Sequence, residues 1–224
     1  PYSGEGTQAA WSIGEPEAHA SSPLVISPPT EGGVSLPPLR VLGEVLTTYI
    51  VAEGPDGLYL IDQHAAHERV VYESLTARGT EEAADAQGLL EPVPVELSPA
   101  EDAVLRTVRD EMARLGFSLE HFGDRTYLLR TVPAEVPGAH AAAMLHDLLH
   151  ELSGVGRSDA FERLAITVAC HAAVRAGKRL TPEEMRQLIH QLERCAQPRT
   201  CPHGRPTVVR FDPGQLERLF GRRT

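Results

Sequence analysis

Residues 41–73 read VLGEVLTTYIVAEGPDGLYLIDQHAAHERVVYE, and the change of residue pattern along this stretch decides the fold. Positions 41–53 and then 58–62 are rich in β-branched, aromatic and other apolar residues. They flank Gly54-Pro55-Asp56-Gly57, four turn formers in a row, so the pattern predicts a hairpin with one strand on each side. A helix is expected next, over 64–77. A strand that hands over directly to a helix brings Asp62, His64 and their neighbours to the end of a sheet, a common place for a site to be exposed.

Outward from that stretch, residues 1–38 are rich in Pro, Ser, Gly and Ala, show no period, and read as a flexible linker. Residues 79–97 look irregular, with one extended segment over 89–95. Ser98-Pro99-Ala100-Glu101 is a capping box with proline in the first turn, and Val104, Leu105, Val108, Met112 and Leu115 form the buried stripe of the helix it opens. A second hairpin is expected over 117–132, turning at Gly123-Asp124. Helices follow over 139–152 and 159–176, then two capped ones opened by Thr181 and Asp212, with a strand at 207–211 between those two. Strands and helices mix without strict alternation, which places the chain in the α+β class.

Composition bounds the possibilities. In 224 residues with 42% hydrophobic and 23% charged, a soluble core forms without staples. Three cysteines are too few and odd in number for a secreted disulfide framework, and no apolar run is long enough to span a membrane. The chain opens on Pro1 without methionine, as expected of a piece of a longer protein. Acids outnumber bases 22 to 10 over 39–170, whereas bases outnumber acids 11 to 5 over 171–224. Such a chain cannot coat nucleic acid by counterion release alone, although its last quarter can meet phosphates locally.

Three clusters carry chemistry. In Asp62–Glu73, His64 and Glu68 are four apart on one helix face, and Asp62 can close on them, an oxygen and imidazole set that suits Zn²⁺ or Mn²⁺. An N-cap aspartate, an exposed histidine and a surface glutamate would give the same spacing. Glu73 lies roughly 140° round the helix from Glu68, and is four residues from Arg69, which favours a structural ion pair over ligation. Cys201-Pro202-His203-Gly204-Arg205-Pro206 offers a thiolate and an imidazole on a stiff loop, two of the four ligands zinc needs. Arg205 in that loop could face a phosphate or form a structural ion pair. Ala169-Cys170-His171 lies in a close-packing helix, and Cys170 reads equally as a core cysteine. The chain has neither a Gly-rich phosphate loop nor a nucleophile elbow, which weighs against an NTPase, a dehydrogenase or a serine hydrolase.

Taken together, the three clusters resemble the C-terminal endonuclease domain of the MutL mismatch-repair family. Asp62–Glu73 fits its DQHA-x2-E-x4-E motif, Ala169-Cys170-His171 is similar to its conserved-helix motif with His171 where many members have Arg, and CPHGRP matches its cysteine-histidine loop. The resemblance implies metal ligands at Asp62, His64, Glu68, Cys201 and His203, with Cys170 a ligand or close neighbour, and Asp62, His64 and Glu68 as the catalytic set. It implies Mn²⁺ as the catalytic ion and Zn²⁺ as a structural or regulatory one. It also implies two subdomains: 39–78 with 156–224 as a dimerisation unit carrying a mixed sheet, and 79–155 as an inserted regulatory unit. The family's N-terminal ATPase domain is not in this sequence.

The expected activity is nicking of one strand of duplex DNA by a homodimer, in the cytoplasm of a bacterium at the nucleoid and away from membranes. The alternative is a non-catalytic dimerisation scaffold stabilised by zinc. DNA binding by this chain alone should be weak, and mismatch recognition would reach it through the full-length protein. Gln87-Gly88-Leu89-Leu90-Glu91-Pro92 resembles the short peptide that docks on the replication sliding clamp, with Gln87, Leu90 and Pro92 at the recognition positions. An edge strand that packs Leu89 or Leu90 inward is the competing reading.

Overall fold

A computed structural model describes residues 35–78, 86–153, 157–173 and 179–222. The linker expected over 1–38 falls almost wholly outside the described residues, as do Gly79 and Gly154–Gly156. Strands β1 (Arg40–Val45), β2 (Tyr49–Gly54) and β3 (Gly57–Asp62) run directly into helix α1 (Gln63–Arg78). After them come β4 (Ala86–Glu96), α2 (Pro99–Arg114), β5 (Ser118–Gly123), β6 (Thr126–Pro133), α3 (Ala141–Glu151) and α4 (Arg157–Ala172). Helix α5 (Pro182–Glu193), strand β7 (Val208–Phe211) and helix α6 (Pro213–Leu219) complete the described strands and α-helices.

The chain is α+β, with one sheet ordered β1-β2-β3-β7 and another ordered β4-β6-β5. Among the described residues every strand pairing is antiparallel, which corrects the mixed sheet expected for the dimerisation unit. Tight turns join β1, β2 and β3 and so force antiparallel neighbours, and β7 returns against β3 in the same sense. A second correction concerns 41–53, which is two strands rather than one. The chain reverses at Leu46 and Thr47, both in the left-handed region at φ 56° and 48°. Non-glycine residues seldom adopt that conformation, so these side chains give no turn signal. At Gly57 the glycine is obligatory: a Cβ there would lie 2.2 Å from the Phe211 carbonyl oxygen, where β7 crosses the hairpin turn.

Two hydrophobic cores flank α1. Ile50, Ala52, Tyr59, Ile61 and Val208 on one face of the first sheet pack with Ala66 of α1 and the apolar side of α5. On the other side of α1, Val71 and Leu75 join the core that α2, α3 and α4 build against the second sheet. Because α1 is covered on two sides, its polar residues cannot all reach water, and Gln63, Glu68 and Arg69 are buried. Each of them needs a partner inside the protein, and those partners define the site.

Candidate metal centre

Strand β3 and helix α1 meet at Asp62, whose Oδ1 accepts the Ala65 N–H at 3.0 Å and so caps the helix. One turn on, His64 Nε2 lies 3.1 Å from Glu68 Oε1, and the Glu68 side chain is fully buried. The i,i+4 spacing read from the sequence therefore brings His64 and Glu68 together. Asp62 adjoins them through the backbone of the same turn, with its carboxylate engaged as a cap.

The cysteine-histidine loop reaches this helix from the far end of the chain. Thr207, buried at the start of β7, donates its N–H to the Arg199 carbonyl at 3.1 Å and accepts the Asp62 N–H at 2.9 Å, which closes the loop over the end of β3. Within it, Cys201 N–H donates to the Arg205 carbonyl at 2.8 Å and Gly204 N–H to the Cys201 carbonyl at 2.9 Å. Gly204 takes φ +80°, which lets the turn tighten without a Cβ. Cys201 is buried, and His203 Nδ1 stands 3.4 Å from Glu68 Oε2. Donor atoms of Glu68, Cys201 and His203 lie within 4.8 Å of one another.

Tetrahedral zinc with bonds of about 2.0–2.3 Å holds its ligand atoms about 3.3–3.8 Å apart, so the three donors would close by no more than about 1.5 Å to share one ion. A buried carboxylate, a thiol and an imidazole, with a second imidazole at His64, form a donor set that suits zinc. Arg205 Nη2 donates to both Glu68 oxygens at 3.2 Å, and more than half of its side chain is exposed. Its bond to Cys201 and the Glu68 charge hold the guanidinium firmly protonated.

Cys170, in the last turn of α4, is exposed, which corrects its reading as a core cysteine. Its neighbour Ala169 takes the buried position, while Cys170 faces the site. Partial burial pushes its thiol upward, and the Glu68 charge adds to the shift. Cys170, His171, Pro202 and His203 line a cleft of about 630 Å³. Glu151, Asp159 and Glu162 stand on the same cleft with Arg163, so the approach to the cluster is net acidic.

Glu73 is elsewhere. It accepts the Ala196 and Gln197 N–H groups at 2.6 and 2.9 Å and pairs with Arg69 at 3.6 Å, the ion pair its spacing implied. The role of Arg69 in the loop was missed. It is buried and donates from Nε to the Thr200 carbonyl at 2.5 Å.

Gln87, Leu90 and Pro92 lie in β4 on a wide bulge. Gly88 pairs with Thr131 and Val93 with Leu129, leaving residues 89–92 opposite Arg130 alone. Leu89 packs against the core, while Leu90 is wholly exposed, and Gln87 and Pro92 are exposed beside it.

Residues 42–180 match the family described as MutL C terminal dimerisation domain. The chain is 47% identical over 200 residues to the DNA mismatch repair protein MutL of Methanoculleus marisnigri, covering 86% of this chain and 34% of that protein. It is 39% identical over 216 residues to the protein of the same description from Methanothrix thermoacetophila, covering 95% and 38%. For Phenylobacterium zucineum the identity is 42% over 210 residues, covering 92% and 33%. The chain thus spans about a third of the length of the curated relatives it matches.

Proposed function

The chain belongs to the MutL C-terminal dimerisation domain family, and from that premise we propose that it is the metal-dependent nicking module of a mismatch-repair protein. The observation that carries this reading is the convergence of Glu68, Cys201 and His203 within 4.8 Å, with Glu68 fully buried. Asp62, His64 and Glu68 from the β3–α1 junction, with Cys201 and His203 from the loop, would hold the ions, and Cys170 stands beside them. When bound, a divalent ion such as Mn²⁺ lowers the pKa of its water and polarises a phosphodiester, and Zn²⁺ suits the thiolate side.

The chain's own residues supply position and charge. Burial of Glu68 between α1 and the loop fixes the carboxylate, and Asp62 is held by the cap it makes. Arg205 presents an exposed planar fork next to the cluster, suited to a phosphate's oxygens. The acidic cleft opposes DNA, so the reading includes weak, salt-sensitive binding by the chain alone.

Homodimerisation is supported by the apolar, half-buried face of the first sheet that is turned away from α5. Val51, Leu60 and Val209 lie side by side across β2, β3 and β7, on the face opposite the α5 core. Val45 and Tyr49 continue it as exposed apolar residues. A second copy of this face would cover them. The bulge that projects Leu90 supports docking on a sliding clamp, with Gln87 at the pocket rim and Pro92 limiting the ordering cost. A clamp that encircles DNA would supply the proximity an acidic domain lacks. Work in the cytoplasm at the nucleoid, with mismatch recognition relayed through the longer protein, belongs to the same proposal. Among the described residues, no helix is long and apolar enough to cross a membrane.

The test is incubation of the purified chain with supercoiled plasmid and Mn²⁺ at low salt. Relaxed circles that require the metal and disappear in Asp62→Asn are expected. Tightly bound zinc with no metal-dependent nicking by the full-length protein would favour the scaffold reading instead, and nicking that survives Asp62→Asn would remove the site assignment.

A further inference from the structure

We infer that Arg69 and Glu73 are positioning residues that hold the Cys201–His203 loop in register with Glu68, an inference that rests on the metal reading above. Helix α1 contributes Glu68 to the cluster and then uses its next turn to grip the loop that brings the other donors. Both Glu73 oxygens are used, one for each N–H of the consecutive residues Ala196 and Gln197. These amides follow the end of α5, and a carboxylate is a strong acceptor for such exposed N–H groups.

Arg69 extends the grip toward the donors. Its Nη1 lies 3.6 Å from Glu73, and its Nε reaches the carbonyl of Thr200, the residue immediately before Cys201. The guanidinium also sits over the Tyr72 ring, 5.3 Å from its centre, and the side chain is almost fully buried. One path of hydrogen bonds joined by a single ion pair therefore runs from residues 196 and 197 through Glu73 and Arg69 to the peptide that carries Cys201. The loop's other end is fixed separately, by Thr207 against Asp62. Loosening the Glu73 end would leave the sheet paired while letting Cys201 and His203 drift from Glu68. A simple staple between α1 and the loop would contribute to stability and leave metal affinity unchanged.

The experiment compares Zn²⁺ affinity, by competition with a chromophoric chelator, for wild type, Glu73→Ala, Glu73→Gln and Arg69→Lys. Arg69→Lys keeps the charge and loses the planar fork that spans Glu73 and Thr200. Glu73→Gln fills the same space, still accepts one of the two N–H groups, and carries the test if the alanine variant does not fold. Zinc affinity should fall by about 10- to 100-fold in the folded variants, as for other groups that orient metal ligands. At saturating Co²⁺ their thiolate-to-metal absorption band should persist, because Cys201 is still present, whereas a Cys170→Ser/Cys201→Ser double variant should lose it. Folded variants that bind zinc as tightly as wild type would overturn the positioning role. A wild type that shows neither zinc uptake nor the Co²⁺ band would overturn the metal reading, and this inference with it.

Discussion

Arg205 Nη2 donates to both carboxylate oxygens of Glu68 at 3.2 Å, across 137 residues of chain. The glutamate is fully buried and the arginine more than half exposed, so the two contribute unequally. Truncating one partner of a fully buried pair costs about 3–5 kcal/mol. Solvent screening of the guanidinium and the continued presence of His64 and His203 reduce that cost. Arg205→Ala is predicted to lower stability by about 1–2 kcal/mol in urea unfolding with chelator present. Saturating zinc should shrink the difference, since an ion at Glu68 would replace the lost positive charge.

Asp62 has two separable duties, as a cap and, on the proposed reading, as a ligand. Asparagine caps a helix as well as aspartate does, whereas alanine costs about 1 kcal/mol. Asp62→Asn should therefore melt near the wild-type temperature, and Asp62→Ala several degrees lower. Both should lose plasmid nicking. Thermal unfolding in parallel with the nicking assay separates the two duties.

The Gln87→Ala/Leu90→Ala double variant should be within about 0.5 kcal/mol of wild type, because both side chains are exposed. Nicking measured with and without the sliding clamp should show stimulation in wild type and none in the variant. Equal stimulation of both would mean that the clamp docks elsewhere. Leu89→Ala, by contrast, should destabilise the fold, since Leu89 packs on the core.

Most elements were legible because local chemistry and tertiary packing agree. The capping boxes at Ser98, Thr181 and Asp212 all form as the sequence implied. The turn at Leu46–Thr47 was not legible, because its left-handed residues carry none of the usual turn chemistry. At the site, the pairing of His64 with Glu68 followed from helix spacing, while their meeting with Cys201 and His203 required the resemblance of three separated motifs. The grip of Arg69 and Glu73 was beyond reach, because their loop partners lie 123–131 residues away. Cys170 was ambiguous for a related reason. Small neighbours mark a close-packed helix without saying which side of its last turn faces outward.

Acid should loosen the α2–α3 contact. Glu101 closes the α2 capping box and meets His146 Nδ1 of α3 at 2.7 Å. That bond to His146, aided by Ser98, holds the Glu101 carboxyl at about 2, well below its usual 4.5. A depressed folded value means that the contribution is complete above about pH 4.5 and is lost as pH falls toward 2. His146→Ala should cost about 1 kcal/mol at neutral pH. Urea unfolding across that range should show the gap to wild type closing as the medium becomes more acidic.

The proposed metal centre is open to one direct measurement, a crystal structure of the zinc-loaded chain with anomalous data at the zinc edge. An anomalous peak is expected, bonded to the Glu68 carboxylate, Cys201 Sγ and a His203 ring nitrogen, at about 2.0–2.3 Å from each. Arg205 should be turned away from Glu68 toward the cleft. A zinc ion bound only outside this cluster, with Glu68 still paired to Arg205, would contradict the proposed site.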